Sequence, residues 1–349
     1  MKIALLTIWH EKNYGAEMQA YATIKALREL GHTVQMIDIR LSDQNCMTIK
    51  NSISALVKKL CPSSRQFNNF WNKYIPTTQR YRSISDLQVC PPKADVYLVG
   101  SDQVWNPDIT RQFAPLYFLD FGDDRIKRIS YASSFGVSRW VNETITPQVR
   151  QLLHRFDAVS CREQEGTKIL QDTFGVEAEC VLDPTLLFNG YPELVGTVVP
   201  KNTMVYYPLT TDPELENFAI KLADRLGLSV INNKKTTYLL GSIEWKRVTI
   251  EDWVRNIAEA KFVITRSFHG MAFCLIYHRQ FVVIGNKNGR SSRITNLLNK
   301  LNIGDRYFES FEELNRAKPW ETMLDYNRIE TSLQDLREKS FNFLERVLK

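Results

Sequence analysis

Two short apolar runs separated by one helical stretch fill residues 2–39, and that order narrows the fold more than any other feature. Residues 2–9 read as a strand, "NYGAEMQAYATIKALREL" as a helix with apolar residues at helical spacing, and "HTVQMIDI" as a second strand. A strand, a crossover helix and a strand make a β-α-β unit, the signature of a parallel sheet. "ADVYLVG" (94–100), "RISYASS" (128–134) and "AVSCR" (158–162) predict further strands of that sheet. "ECVLDPTLLF" (179–188) closes this half, because Asp183-Pro184 breaks regular structure. Near residue 200 the pattern restarts. "NTMVYYPL", "GLSVINN", "AKFVITRS" and "QFVVIG" alternate with the helical "DPELENFAIKLADRLG" and "TIEDWVRNIAEA". The expectation is two parallel α/β domains, 1–190 and 191–325, flanking a cleft, with a charged amphipathic helix over 326–349. Ligands of open α/β sheets sit beyond the carboxyl ends of the strands. The loops after those strands are therefore where chemistry is expected.

Composition removes several function classes. No apolar run approaches the ~18–20 residues that a membrane helix needs, and the apolar N-terminus is short, with no small-residue cleavage site after it. The chain is expected to stay in the cytoplasm. Six cysteines are scattered without a Cys-x-x-Cys pair, which supports neither a zinc site nor a disulfide framework. No Asp/His cluster shows ligand spacing, so no metal is expected. A net charge of +6 suits anionic substrates or a membrane surface and does not by itself argue for nucleic acid.

Four stretches carry candidate chemistry. In "WHEKNYGAEMQAY", Asn13, Tyr14 and Gly15 open a helix whose N-terminal amides either hold an anion or simply follow a tight turn. G-x-G-x-x-G and G-x-x-x-x-G-K-[ST] are both absent, which weakens dinucleotide and P-loop readings. In "LVGSDQVWNP", Ser101, Asp102, Gln103, Trp105 and Asn106 follow a buried strand. Polar groups beside an aromatic suit a sugar, and the competing reading is an Asx-type turn with a core tryptophan. In "VSCREQEG", Arg162 either grips a carboxylate or phosphate or forms a surface ion pair with Glu163 or Glu165. In "VITRSFHGMAF", Arg266, Ser267, His269 and Gly270 lie where a strand runs into a helix.

Taken together, "NYGAEMQAYA", "GSDQVWNP", "YASSFG", "VSCREQEG", "VLDPTLL", "VITRSFHG" and the later "SSRITNLLNKL" closely resemble the polysaccharide pyruvyl transferase family. The resemblance covers roughly residues 1–300 in the family's order. It implies a glycosyltransferase-B-like fold of two Rossmann-like domains, the first on the acceptor side and the second carrying the "SFHG" motif. It also implies transfer of the carboxyvinyl skeleton of phosphoenolpyruvate onto hydroxyls of a surface polysaccharide, capsule or exopolysaccharide, or of a lipid-linked precursor. The product is usually a pyruvate ketal. Phosphoenolpyruvate is then the donor substrate, and no cofactor is implied. Its trianion needs guanidinium or amide donors, for which Arg162, Arg266, Ser267, Gly270 and Arg293 are the candidates. Its methylene carbon must be protonated, a task for a group with a pKa near the working pH. Among five histidines, only His269 lies in a matched block at a strand end, and it is assigned general acid. Asn13, Tyr14, Gly15, Ser101, Asp102, Gln103, Trp105 and Asn106 are left for the acceptor. In one departure, Arg266 stands three positions before His269, where many members carry an acidic residue or an arginine one position nearer. Arg266 then either supplies the anion-binding charge or pairs with a carboxylate. A sugar-nucleotide glycosyltransferase of the same fold is the alternative enzyme, and a non-catalytic scaffold is the third reading.

Residues 49–82 are basic and aromatic. "IKNSISALVKKL" either touches an anionic membrane carrying a lipid-linked acceptor, at the inner face of the cytoplasmic membrane, or packs on a core with solvated lysines. Without an RNA-binding motif nearby, nucleic acid is not an expected partner.

Overall fold

The computed structural model describes residues 1–8, 13–39, 62–209, 212–233, 248–285 and 291–349. His10, Cys46, Cys61 and the basic stretch 49–60 lie outside the described residues. The chain divides into two compact units, Met1–Leu187 with Glu338–Lys349, and Phe188–Arg337.

In the first unit, strand β1 (Lys2–Leu6) leads into helix α1 (Tyr14–Glu29) and strand β2 (Thr33–Ile39), the β-α-β unit expected from the sequence. Helix α2 (Pro62–Tyr74), β3 (Thr77–Tyr81), β4 (Val96–Val99) and β5 (Lys127–Ser130) follow. The five strands form one parallel sheet in the order β3-β2-β1-β4-β5. Buried apolar residues run through the central strands, as a sheet covered on both faces requires. A two-stranded parallel pair, β6 (Ser160–Cys161) with β7 (Glu179–Cys180), continues beside β5 through the Ile129–Ala158 and Ser133–Cys161 bridges. The expected strand over 128–134 stops at Ser130. Ala132 adopts a left-handed φ of 54° that cannot propagate a strand.

The second unit repeats the architecture. Its elements are β8 (Thr203–Tyr207), α3 (Pro213–Leu226), β9 (Ser229–Asn232), α4 (Ile250–Glu259), β10 (Phe262–Thr265), α5 (Phe268–Ile276), β11 (Gln280–Ile284), α6 (Ser292–Lys300) and β12 (Tyr307–Phe308). All pairings are parallel, in the order β12-β11-β10-β8-β9. Met204, Ile264, Val282 and Phe308 from four adjacent strands share one core with Leu215 and Leu222 of α3. Each unit is thus a Rossmann-like parallel sheet, the fold class expected. The last helix, α7 (Tyr326–Val347), belongs to the second unit up to Arg337 and to the first from Glu338 onward.

Each strand order reverses once. The first sheet grows outward from β1 to β3 and then resumes on the other side with β4, so its switch point lies between β1 and β4. The second grows from β8 to β9 and resumes with β10, so its switch point lies between β8 and β10. Loops diverge at such a point and leave a crevice at the carboxyl edge. The loops after β1, β4, β8 and β10 contain most of the candidate site residues.

Candidate functional site

At the switch point of the second sheet, the apolar β10 ends at Thr265, and Arg266 and Ser267 lead into α5. Ser267 is the N-cap. Its backbone is extended, and its hydroxyl accepts from the Gly270 amide at 3.2 Å. The Thr265 hydroxyl donates to Tyr207 O at the end of β8 (3.1 Å) and accepts from the Ser267 amide (3.0 Å), which fixes the turn. Gly270 is required for this packing. A Cβ there would stand 2.5 Å from Thr265 Oγ1. His269 occupies the first turn of α5 with only 7% of its surface exposed, its ring edge-on to Phe268 at 5.2 Å. Arg293, in the first turn of α6, places its guanidinium 6.0 Å from the Phe268 ring.

Arg266 resolves one of the open alternatives. Its Nε donates to Asp212 Oδ2 at 2.6 Å, its NH1 donates to Gly285 O, and its guanidinium lies over the Phe311 ring at 5.6 Å. Asp212 also caps α3 by accepting from the Leu215 amide at 3.0 Å. Arg266 therefore pairs with a carboxylate and clasps the loops after β8 and β10 together. Among the described residues, Arg293 is a half-buried cation beside the histidine segment.

At the switch point of the first sheet, Thr7, just past β1, donates to Ser101 O at 2.7 Å and ties that loop to the one after β4. The Gln19 side chain of α1 donates to Thr7 Oγ1 and to Ile8 O. Asn13 caps α1 by accepting from the Gly15 amide at 3.0 Å, and Tyr14 is buried against Phe67. Glu17, fully buried in the same helix, accepts from Trp71 Nε1 at 2.5 Å.

Of the two positions expected for Arg162, the surface ion pair is not the one found. Its side chain is 1% exposed. NH1 donates to Asp183 Oδ2 (2.8 Å), NH2 donates to Asp102 Oδ1 (3.2 Å), and Nε lies 3.7 Å from Glu163 Oε2. Ser101 Oγ donates to the same Asp183 oxygen at 2.9 Å, and Thr185 holds the other one. Burial alone would lower the pKa of this guanidinium. The charges of Asp102, Asp183 and Glu163 outweigh burial and raise it above the ordinary arginine value. Among the described residues, three carboxylates surround this cation. Replacing Arg162 by an uncharged residue would leave buried carboxylates uncompensated, at a cost of about 3–5 kcal/mol.

Trp105 also needs correcting. It is fully buried, stacked on Phe118 at 5.4 Å and 6°, and its indole N–H donates to Tyr117 O. Its ring is core and presents no platform to a sugar. Asn106 is likewise buried, capping the helical turn Pro107–Thr110 and donating to Gln103 Oε1. Of the "GSDQVWN" residues, Asp102 and Gln103 keep partial exposure. Asp183 and Asp212 were not singled out as site residues. The signal available for Asp183 was its place in "VLDPTLL". None marked Asp212. Among the described residues, no group of three or more His, Cys, Asp or Glu could hold a metal ion, and no helix is long and apolar enough to cross a membrane.

The family model described as polysaccharide pyruvyl transferase matches residues 13–288. No curated protein sequence is significantly similar to the chain. Among solved structures, the S. aureus MnaA–UDP co-structure is similar at a TM-score of 0.54 and 10% identity, covering 95% of this chain and 90% of that one. The glycotransferase of kitacinnamycin aligns at 0.48 and 13% identity, over 99% and 98%. The UDP-GlcNAc 2-epimerase of Methanocaldococcus jannaschii aligns at 0.47 and 11%, over 93% of each chain. At such identities the likeness to MnaA speaks to the fold alone.

Proposed function

Because the chain belongs to the polysaccharide pyruvyl transferase family, we propose that it transfers pyruvate from phosphoenolpyruvate to a sugar of a surface polysaccharide or its lipid-linked precursor, forming a ketal in the cytoplasm. The observation that carries this reading is the placement of His269 and Arg293 around Phe268 at the switch point of the second sheet, inside or just past the matched segment. The nine-residue helix α5 begins at Phe268 and turns its amide end toward that edge. Arg293 and this helix end supply positive charge for the phosphate and carboxylate of the donor. Ser267 and Gly270 set the helix start, and Arg266 with Asp212 holds the loop that carries it.

His269 delivers a proton to the methylene carbon of the donor, making C2 electrophilic. A sugar hydroxyl bonds to C2 and loses its proton. The C2–O bond to phosphate then breaks, a second hydroxyl closes the ring, and its proton leaves with the phosphate. One phosphoenolpyruvate and one diol thus give one ketal and one hydrogen phosphate. A histidine suits the first step because its ordinary pKa lies near neutrality, where general acid catalysis is most effective.

The test is incubation of the protein with phosphoenolpyruvate and candidate acceptors bearing adjacent free hydroxyls, followed by mass spectrometry and phosphate assay. A mass gain of pyruvate less water, with stoichiometric phosphate, is the expected result. Nucleoside diphosphate released from a nucleotide sugar, with no phosphate released from phosphoenolpyruvate, would overturn the reading in favour of a glycosyltransferase.

A further inference from the structure

A groove on one face of the second unit shares no lining residue with the histidine segment. It encloses about 530 Å³, within the ~300–1,000 Å³ of ordinary small-molecule sites. One wall is α3, whose Glu214, Asn217, Phe218, Lys221 and Arg225 recur at helical spacing along one side. The other wall is the helix Phe311–Ala317, which contributes Phe311 and Asn315. Leu215, Ala219 and Ala223 of α3 are buried in the sheet core instead.

The groove changes character along its length. Because α3 is the crossover between the parallel strands β8 and β9, its first turn, with Glu214, stands at the carboxyl edge of the sheet and its last, with Arg225, at the amino edge. At a rise of about 1.5 Å per residue these ends are about 16 Å apart. In the middle, the half-buried Phe218 ring tilts against Phe311 at 5.0 Å and 36°. The guanidinium of Arg266 rests over the same Phe311 ring. At the far end Lys221 and Arg225 are exposed and one helical turn apart, and among the described residues neither forms an ion pair. Asp224, Glu312 and Glu313 do not line the groove. The helix dipole favours a cation in the last turn on any side of α3, so it does not explain why both face the aromatic stretch.

Each stretch of the groove suits a different part of one ligand. Two cations one turn apart match a phosphate, and the guanidinium can grip it through two N–H groups. Phe218 offers an apolar surface to a sugar ring, and the amides of Asn217 and Asn315 with the Glu214 carboxylate can bond its hydroxyls. A bare phosphate would leave the aromatic stretch and the amides unused, and a neutral sugar would leave the cations unused. We infer that the groove is a second, non-catalytic binding site for a phosphorylated saccharide. Its phosphate lies at Lys221 and Arg225, and its sugar lies against Phe218 and points toward the carboxyl edge. This site stands whether or not the protein transfers pyruvate, since none of its residues takes part in that chemistry.

The experiment titrates the full chain by calorimetry, in low-salt buffer, with the 1-phosphates of glucose, galactose and mannose, with the same sugars unphosphorylated, and with inorganic phosphate. At least one hexose 1-phosphate should bind at a single site with a Kd on the order of 1 mM or tighter, and ~10-fold or more tightly than its sugar or phosphate alone. Added salt should weaken it. Lys221→Glu combined with Arg225→Glu changes two exposed positions, so circular dichroism should stay native while binding weakens at least ~10-fold. Lys221→Arg, which keeps the charge, should bind as the native protein does. Saturating phosphoenolpyruvate should not displace the ligand. Glucosyl farnesyl diphosphate in detergent micelles presents the same chemistry from a lipid-linked source, and the tighter of the two glucosyl probes identifies the source. Three results would overturn the assignment: no hexose 1-phosphate binding more tightly than inorganic phosphate, affinity unchanged by the double charge reversal, or displacement by phosphoenolpyruvate.

Discussion

Alanine at position 270 tests how the histidine segment is held. The added Cβ would meet Thr265 Oγ1 at 2.5 Å, Thr265 Cβ at 3.2 Å and Tyr207 Cδ1 at 3.3 Å. The first contact cannot persist, and a short β-branched side chain gives way only by rotating about χ1. Rotation breaks both bonds of the Thr265 hydroxyl, to Tyr207 O and from the Ser267 amide. Two buried hydrogen bonds are worth about 2 kcal/mol together, and crowding against Tyr207 adds on the order of 1 kcal/mol. Alanine regains about 1 kcal/mol of helix propensity over glycine. The net loss should be about 2 kcal/mol. For a unit of this size each kcal/mol moves Tm by about 2–4 °C, so scanning calorimetry should show the second unit melting ~4–8 °C lower. In a Thr265→Ala background the same substitution should cost clearly less, because the clashing oxygen is gone. A Gly270→Ala protein that melts at or above the native temperature would show that propensity outweighs the clash, and would refute the packing account of this glycine.

His269→Ala should fold normally by circular dichroism and lose ~10²–10⁴-fold in kcat for phosphate release from phosphoenolpyruvate at saturating acceptor. His269→Gln should stay slow, since it keeps a donor but cannot titrate, and a near-native kcat in either variant would remove the acid assignment. Arg293→Ala should raise the KM for phosphoenolpyruvate ~10-fold or more with little change in the acceptor KM, read from initial rates with each substrate varied in turn. Burial pushes the thiols of Cys161 and Cys274 up from the ordinary cysteine range, whereas Cys90 is exposed. Alkylation of the native protein at pH 8 with peptide mass mapping should therefore label Cys90 and spare the other two until the chain unfolds.

What could be read in the sequence and what could not divide along a physical line. Strands and crossover helices announce themselves locally, through apolar runs and helical spacing, so the two parallel sheets and the strand-end positions of Asp102, Arg162 and His269 were accessible. Side-chain partners are a different matter. Arg162 meets Asp183 across 21 residues and Asp102 across 60, and Arg266 meets Asp212 across 54. No local pattern encodes those separations. They follow from strand order, which brings β4, β5 and β6 side by side and sets β8 against β10. The nearest acidic neighbour in sequence, Glu163, is indeed within 3.7 Å of Arg162, but the pair is buried rather than at the surface. Trp105 misled for a related reason. A tryptophan among polar residues has the composition of a sugar platform, yet Phe118 and Phe135 close over it.

The same consideration separates the two switch points chemically. Arginine, serine and aspartate occur at both, so residue type alone would give both the same ligand. In the first unit, among the described residues, the enclosed Arg162 is surrounded by Asp102, Glu163 and Asp183, of which Asp102 is part-exposed. In the second, Asp212 pairs with Arg266, and Arg293 lies over the ring of Phe268, the first residue of α5.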